Sequence, residues 1–340
     1  MTFVVVGAGS IGCYVGGRLA AAGENVIFVG RPGVLEPLRA AGLTVSDLSG
    51  FEAHVAPERL TCVTSCREAL PFVHDSDVVV LLCVKGPATA SAAGEIAEAF
   101  GAGICVVSLQ NGVENVSRAK SAAPEADVVA GMVPYNVVWP GPAHVHRGTG
   151  GTVVLADTAC TRTLVDAFKG AGISLRLAVD MLPIQWGKLL INLNNPVNAL
   201  SGLSLRDELG DRNYRSAWAR LMSEGLAVLR KARIAPAQVL AVPVTSLVRV
   251  LPLPNPIFRV LAKAMANVDP KASSSMADDL RRGRPTEVDD LCGAIVRLGQ
   301  TVGVATPANQ RTVELVTSYD GTPIAGPALV RELSKRKASR

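Results

Sequence analysis

Aromatic residues are scarce in this 340-residue chain: Phe, Tyr and Trp make up 4% of it, against 49% for all hydrophobic types. Val, Leu, Ala and Ile must therefore build the core, a composition that suits buried parallel strands. A basic stripe interleaved with aromatics is also missing. The net charge of +5 is scattered along the chain, which argues against a nucleic-acid-binding surface and leaves room for a small anionic ligand held by a few cations. Long apolar runs are absent. Val78 to Val84 is far shorter than the roughly 20 residues a membrane span requires, and the N-terminus opens on a strand-like run, Thr2 to Val6, without a basic segment and apolar h-region. The expectation is a soluble, cytoplasmic protein with no membrane partner. Cysteines lack a paired framework: seven at irregular spacings read as reduced thiols. Cys62 and Cys66 come closest to a motif, but no second Cys/His pair at a zinc-like spacing accompanies them. His144 and His146 would share one face of a strand, and two side chains do not make a metal site. No metal is expected.

The length favours two domains. Strand-like and helix-like segments alternate through the first half: Phe3 to Val6, Ile11 to Ala22, Val26 to Val29, then Val78 to Val84, Ile104 to Leu109 and Val128 to Met132. This reads as βαβ units in a doubly wound parallel sheet, a Rossmann-type dinucleotide-binding domain over residues 1–180. Segments around His144 to Val145 and Thr152 to Leu155 read as a closing antiparallel pair joined by a turn at Gly148, Gly150 and Gly151. Beyond Asp180 the β-branched runs largely give way to helical periodicity, in Trp186 to Leu200, Tyr214 to Arg230, Glu287 to Leu298 and Ala308 to Tyr319. The spacing predicts an all-α domain over 181–335. The Pro-rich piece from Pro243 to Pro256 reads as an irregular connection or lid, and Lys335 to Arg340 as a frayed basic tail.

Gly7-Ala8-Gly9-Ser10-Ile11-Gly12 matches G-x-G-x-x-G, and it follows an apolar strand and opens a helix, the context that gives the pattern meaning. Gly7 permits the tight turn, Gly9 admits a pyrophosphate close to the backbone, and Gly12 lets helix and strand pack. The helix start supplies N–H groups to the phosphates. NAD-binding sheets end their second strand in a carboxylate for the ribose 2′-hydroxyl. Here Val26 to Val29 runs into Gly30-Arg31-Pro32, and a guanidinium suits a 2′-phosphate, so the cofactor reading is NADP(H). Lys85 and Asn111 each follow an apolar strand at its carboxyl end, where open α/β sheets place ligands, although Asn111-Gly112 is also an ordinary turn signal.

Lys188 lies on an otherwise apolar helix, with Asn192 one turn on. A polar stripe in solvent is the plain reading, but Asn194, Asn195 and Asn198 in the same run cost propensity and need partners. The chain at this point resembles the ketopantoate reductase (2-dehydropantoate 2-reductase) family. The likeness is carried by GAGSIG at 7–12, Arg31, VKG around Lys85, QNG around Asn111, WGKLLINLNNPVNAL around Lys188, SSM at Ser274 to Met276 and GRPTEVD around Glu287.

The resemblance implies that Lys188 is the catalytic lysine and Glu287 the acid that engages the substrate, with Asn111, Asn192, Asn195 and Ser275 as polar substrate contacts. It implies cofactor contacts at Gly7, Ala8, Gly9, Ser10, Ile11, Gly12, Arg31, Lys85, Asn111 and Glu287. Two departures stand out. Ala272 occupies a position where the family often has an amide, and the asparagine after Asn192 sits one residue closer, so the second site amide is either Asn194 or Asn195. The residue types suit ketone reduction: an ammonium can stabilise the developing oxyanion and donate its proton. Ser275 lies just inside an expected helix start, Ser274 to Arg281, where hydroxyl and N–H groups can receive a carboxylate. Glu287 is expected to begin the helix after Pro285, where a first-turn carboxylate is also favoured by the helix dipole alone. The implied function is NADPH-dependent reduction of 2-dehydropantoate to pantoate in pantothenate biosynthesis. The alternatives are a reductase of another branched 2-oxo acid or imine, and a non-catalytic NADP(H)-binding sensor. A homodimer is compatible with the sequence, and no motif specifies it.

Overall fold

The apolar run TFVVV at residues 2–6 is buried along its whole length, as an interior parallel strand covered on both faces should be. In the computed structural model, which describes residues 1–73, 77–239, 243–261 and 273–335, the chain divides into two compact units, Met1–Met181 and Leu182–Arg340. The strands of the first unit are β1 (Thr2–Val6), β2 (Asn25–Val29), β3 (Leu43–Asp47), β4 (Glu52–Val55), β5 (Thr61–Val63), β6 (Val78–Leu82), β7 (Cys105–Ser108), β8 (Asp127–Met132), β9 (Val137–Gly141), β10 (His144–Arg147), β11 (Val153–Ala156) and β12 (Leu175–Ala178). The larger sheet has the order β12-β11-β8-β7-β6-β1-β2-β5. Val4 sits beside Ile27 on one side and Val80 on the other, all parallel. Side-chain alternation divides the core: Phe3 and Val5 join Tyr14, Leu19 and Phe28 on one face, while Val4 and Val6 join Val80, Leu82 and Ile96 on the other. This is a Rossmann-type α/β domain, and the second unit is helical throughout its described residues.

A smaller sheet, β4-β3-β10-β9, accounts for a departure from the expected hairpin. β10 pairs with β3 and β9, whereas β11 pairs antiparallel with β8 and parallel with β12. The glycine-rich connection carries the chain from one sheet to the other. Its Gly148 N–H bonds the Asn136 carbonyl at 2.9 Å, and Thr149 Oγ1 accepts the Asn136 N–H at 2.8 Å, so the segment folds back on the entry to β9. The thiol expectation is also corrected: Cys105 and Cys160 form a disulfide, bringing together residues 55 apart in sequence. Cys13, Cys62, Cys66, Cys83 and Cys292 are free. Nothing in the Cys spacing marked that pair, because the sheet order sets it.

In the second unit, the expected helix Trp186 to Leu200 is two helices, Leu182–Asn192 and Asn194–Ser201. Pro196 has no N–H to give the Asn192 carbonyl, and its ring would crowd that carbonyl, so the helix breaks at Leu193 and restarts at Asn194. The Pro243 to Pro256 stretch is ordered, not irregular: it holds the helix Val244–Val250 and the start of Asn255–Leu261. The turn between them wraps a fully buried Arg215. This guanidinium donates to the carbonyls of Leu209, Leu251 and Leu253, each at 2.8 Å, and lies 4.0 Å over the Phe258 ring. Ala272 and the tail residues 336–340 lie outside the described residues. Among the described residues no helix is long and apolar enough to cross a membrane.

A buried ion cluster fastens the helix Ser10–Ala21 to the small sheet. Asp47 Oδ2 accepts from Arg18 and from Arg147, each at 3.0 Å, and Arg18 Nε donates to the Ala171 carbonyl at 2.8 Å. Burial alone would raise the Asp47 carboxyl, but hydrogen bonds from Ser49 and Phe51 and the Arg147 charge outweigh it and hold it below the ordinary carboxylate range. A depressed folded-state value means that this contribution is present above the unfolded pKa of about 3.9 and is lost as pH falls through the folded value. Asp47→Ala would leave two buried guanidinium groups facing each other, so it should cost about 3 to 5 kcal/mol of unfolding free energy. Urea denaturation at neutral pH measures it, and a loss under 1 kcal/mol would show the cluster to be dispensable.

Candidate active site

Four strand ends of the first unit share one edge of the large sheet. Val6 leads into the glycine turn, Val29 into Arg31, Leu82 into Lys85 and Ser108 into Asn111, and the registers align Val6 with Val29 and Leu82, and Leu82 with Ser108. Gly7 has φ +105°, and a Cβ there would stand 2.6 Å from the Val84 nitrogen. A Cβ on Gly12 would strike the Gly7 carbonyl and lie 2.9 Å from Val5 Cγ1. Both positions therefore exclude any side chain for reasons internal to the fold. Gly9 differs: a Cβ there would meet no protein atom within 4 Å. Ser10 and Ile11 open the helix Ser10–Ala21, and Ala8 lies beneath, its N–H bonded to the Val29 carbonyl at 3.2 Å.

Arg31 is exposed and caps the helix Pro32–Ala41 with its carbonyl, which accepts from Val34 at 3.0 Å. Lys85 is exposed and Asn111 half-buried. Sequence reasoning passed over the group that fixes these last two strand ends. Gln110, almost fully buried, donates to the Val84 carbonyl at 2.8 Å and to Thr89 Oγ1 at 2.7 Å. Thr89 in turn donates to Asn115 Oδ1 at 3.1 Å, and Asn115 Nδ2 bonds the Asn111 carbonyl at 2.6 Å. Gln110 belongs to the QNG motif, so its signal was present, but Thr89 and Asn115 carry none that a single sequence displays.

In the second unit Lys188 projects from the helix Leu182–Asn192. A Cβ on the preceding Gly187 would strike the Ala237 carbonyl, so glycine there lets the helix lie directly against the Ala235 to Val239 segment. The lysine is half-buried, and desolvation draws its ammonium pKa down to about 8. Asn192 is buried one turn on. Of the two candidate amides, Asn194 turns inward, its Nδ2 donating to Glu208 Oε2 at 3.1 Å, whereas Asn195 is only half-buried.

The helix Ser275–Arg281 packs on the helix Asn194–Ser201, with Ser274 as its cap and Ser275 exposed. Glu287 sits at a bend, half-buried, and its carbonyl accepts the Leu291 N–H at 3.1 Å. The expected helix after Pro285 opens with a π-helical turn, Asp289–Gly293, before continuing as Ala294–Val302. A side chain on Gly293 would strike Asp289, whose carboxylate is held by Arg297 at 2.9 Å. Lys188, Asn192, Asn195 and Ser275 are thus carried by helices that adjoin in sequence or in packing. His144 and His146 share a strand face as expected, both bonded to Ser46 Oγ at 2.8 Å. Among the described residues no group of three or more His, Cys, Asp or Glu could hold a metal ion.

Comparison with known proteins matches residues 3–159 to the family model described as "Ketopantoate reductase PanE/ApbA" and residues 180–320 to the corresponding C-terminal model. A 2-dehydropantoate 2-reductase of Halobacterium salinarum is 29% identical over 324 residues, covering 93% of this chain and 98% of that protein. The crystal structure of a PanE/ApbA family ketopantoate reductase from Ralstonia eutropha JMP134 is 31% identical, with a TM-score of 0.77 over 93% of this chain and 97% of that one. D-mandelate dehydrogenase, solved with NADH and anilino(oxo)acetate, shares the fold at 21% identity and a TM-score of 0.76, covering 94% and 98% of the two chains. With both family models matched across most of its length, the chain belongs to the ketopantoate reductase family of NAD(P)H-dependent oxidoreductases.

Proposed function

We propose that this protein reduces 2-dehydropantoate to pantoate with NADPH as the preferred cofactor. The observation that carries the reading is Lys188: a lysine desolvated on an apolar helix, its pKa lowered to about 8, with Asn192 a turn away. A solvated surface lysine would have no reason to sit there. When bound, the reduced nicotinamide supplies a hydride to the ketone carbon. The Lys188 ammonium then stabilises the charge growing on the carbonyl oxygen and gives it a proton, and its lowered pKa makes the transfer easier at neutral pH. Asn192 and Asn195 orient the ketone, Ser275 takes the substrate carboxylate through its hydroxyl, and Glu287 accepts a hydrogen bond from the substrate's hydroxymethyl group. Open space at Gly9 supports a pyrophosphate lying against the turn, with Lys85 and Asn111 at the same strand edge.

Lys188→Ala should lower turnover about a hundredfold or more while NADPH binding stays near normal. In the parent, kcat/KM should be level below pH 8 and fall about tenfold per unit above it, as the ammonium with pKa near 8 loses its proton. Stopped-flow absorbance at 340 nm reads both. Turnover within a few-fold of the parent would return Lys188 to an ordinary helix lysine.

Arg31, exposed at the end of β2 where a carboxylate would select NADH, supports the NADPH preference. Arg31→Ala should weaken NADPH binding about tenfold or more, the loss of one charge-assisted contact, and leave NADH almost unchanged. Fluorescence titration with the two nucleotides separates these outcomes. Equal affinity of the parent for both would remove the 2′-phosphate from the argument.

Glu287 tests the substrate. A carboxylate that accepts the ketopantoate hydroxyl is left without that partner by a dimethyl 2-oxo acid, so the parent should prefer ketopantoate and Glu287→Ala should erase much of the preference. The ratio of kcat/KM for the two acids, before and after substitution, is the readout. An unchanged ratio would remove Glu287 from recognition, and the absence of any ketopantoate activity in the parent would move the assignment to a related 2-oxo acid.

A further inference from the structure

Glu208 is fully buried in the second unit, yet no basic side chain among the described residues pairs with it. It lies on the short helix Leu205–Gly210, and its polar surroundings are amides. Asn194 Nδ2 donates to Oε2 at 3.1 Å, the Asn198 amide also faces the carboxyl, and Oε1 has no partner among the described residues. Burial pushes this carboxyl up to about 8, so it is a neutral acid at neutral pH. A half-satisfied buried acid costs more stability than an apolar side chain of similar size, so packing alone does not account for it.

The group leads somewhere. Asn198, itself fully buried, accepts the Ser274 N–H on Oδ1 at 2.8 Å and donates from Nδ2 to the Leu203 carbonyl at 3.1 Å. Ser274 Oγ donates to the Asn195 carbonyl at 3.1 Å and accepts the Ala277 N–H at 3.1 Å. Hydrogen bonds thus tie Glu208 to Asn194, and Asn198 to the Ser274 turn, whose hydroxyl reaches the Asn195 carbonyl; the Asn198 amide facing the Glu208 carboxyl brings the two sets together beside the proposed substrate contacts Asn195 and Ser275. An Asn side chain free to flip would exchange its acceptor for its donor at Ser274 N–H and release that turn.

We propose that Glu208 and Asn198 are positioning residues that lock the Asn195 and Ser275 side chains in register for the 2-oxo acid. This rests on the substrate roles given to Asn195 and Ser275 above. Neither Glu208 nor Asn198 touches the substrate; Glu208 holds the Asn194 and Asn198 amides in one orientation, and Asn198 holds the Ser274 turn against the helix Asn194–Ser201.

The test uses the full-length protein and Glu208→Ala beside Glu208→Gln, a neutral side chain of the same shape. Hydrogen exchange in the peptide spanning Ser274 to Ala277 should speed up at least tenfold in E208A and return to near the parent rate in E208Q. KM for ketopantoate should rise about tenfold in E208A with kcat within about threefold, E208Q should restore KM, and NADPH binding should stay at the parent value throughout. Should E208A fail to fold, Ser274→Ala removes the hydroxyl that ties the turn to Asn195 and is expected to raise KM in the same way. Unchanged exchange at Ser274 to Ala277 in E208A would overturn the proposal. Faster exchange with KM unmoved would also overturn it, and would trace the failure to the assignment of Ser275 to the substrate. Equal impairment of E208A and E208Q would overturn the idea that a neutral, amide-orienting group is what the position requires.

Discussion

The backbone of the Cys83 to Val84 segment passes so close to Gly7 that a methyl group on that glycine would overlap it, and much of the first unit follows from this approach. β1 and β6 can stay hydrogen-bonded to their ends only if the connecting turn is bare. The same turn brings Gly12 onto the Gly7 carbonyl and Val5, which fixes where the helix Ser10–Ala21 leaves the sheet. A third close approach, Gly30 against Ala8 at 2.8 Å for an added Cβ, sets the exit of β2 and hence the start of Arg31. Three close approaches thus determine where the residues after β1 and β2 emerge, and a methyl at any of them would displace that strand edge.

The two units handle buried charge in opposite ways. In the first, Asp47 is ionised, because two guanidinium groups and the Ser49 hydrogen bonds repay its desolvation. The cluster joins the helix that leaves the glycine turn to the second sheet, so its job is mechanical. In the second, Glu208 meets amides only and stays neutral. A neutral acid can accept and donate without adding a field.

The sheet was legible where strands run through the interior, as in Val4 to Val6 and Val78 to Leu82, because burial on both faces writes a continuous apolar run. It was not legible at β4, β9 and β12, which lie at sheet edges, or at β3, where Thr44, Ser46 and Asp47 interrupt the apolar run. The supposed hairpin failed for a related reason: a glycine-rich loop between two short strands looks the same whether it reverses the chain within one sheet or carries it to another. The helix around Lys188 was read as continuous because its apolar spacing continues past the break, and only Pro196 records the interruption. For the candidate site, residues with unusual chemistry on a regular element, such as Lys188 or Arg31, stood out from the sequence. Gln110 and Thr89, which fix the strand ends at Lys85 and Asn111, and Asn198 and Glu208, which bond to Ser274 and Asn194, are common residues whose significance depends on partners distant in sequence, and distance in sequence hides them.

Lys188 illustrates how far burial can tune an ammonium group. An ordinary lysine ammonium, near 10.5, releases its proton reluctantly at neutral pH, and one lowered far below 7 would already be deprotonated. Desolvation on the helix Leu182–Asn192 draws Lys188 to about 8, between these limits. The burial that achieves this depends on small neighbours: Gly187 lets the helix approach the Ala235 to Val239 segment, and Gly225 lets the helix Arg212–Lys231 close on Leu190 and Ile295. A lysine on a helix packed this closely loses solvation, and that loss is what lowers its ammonium value.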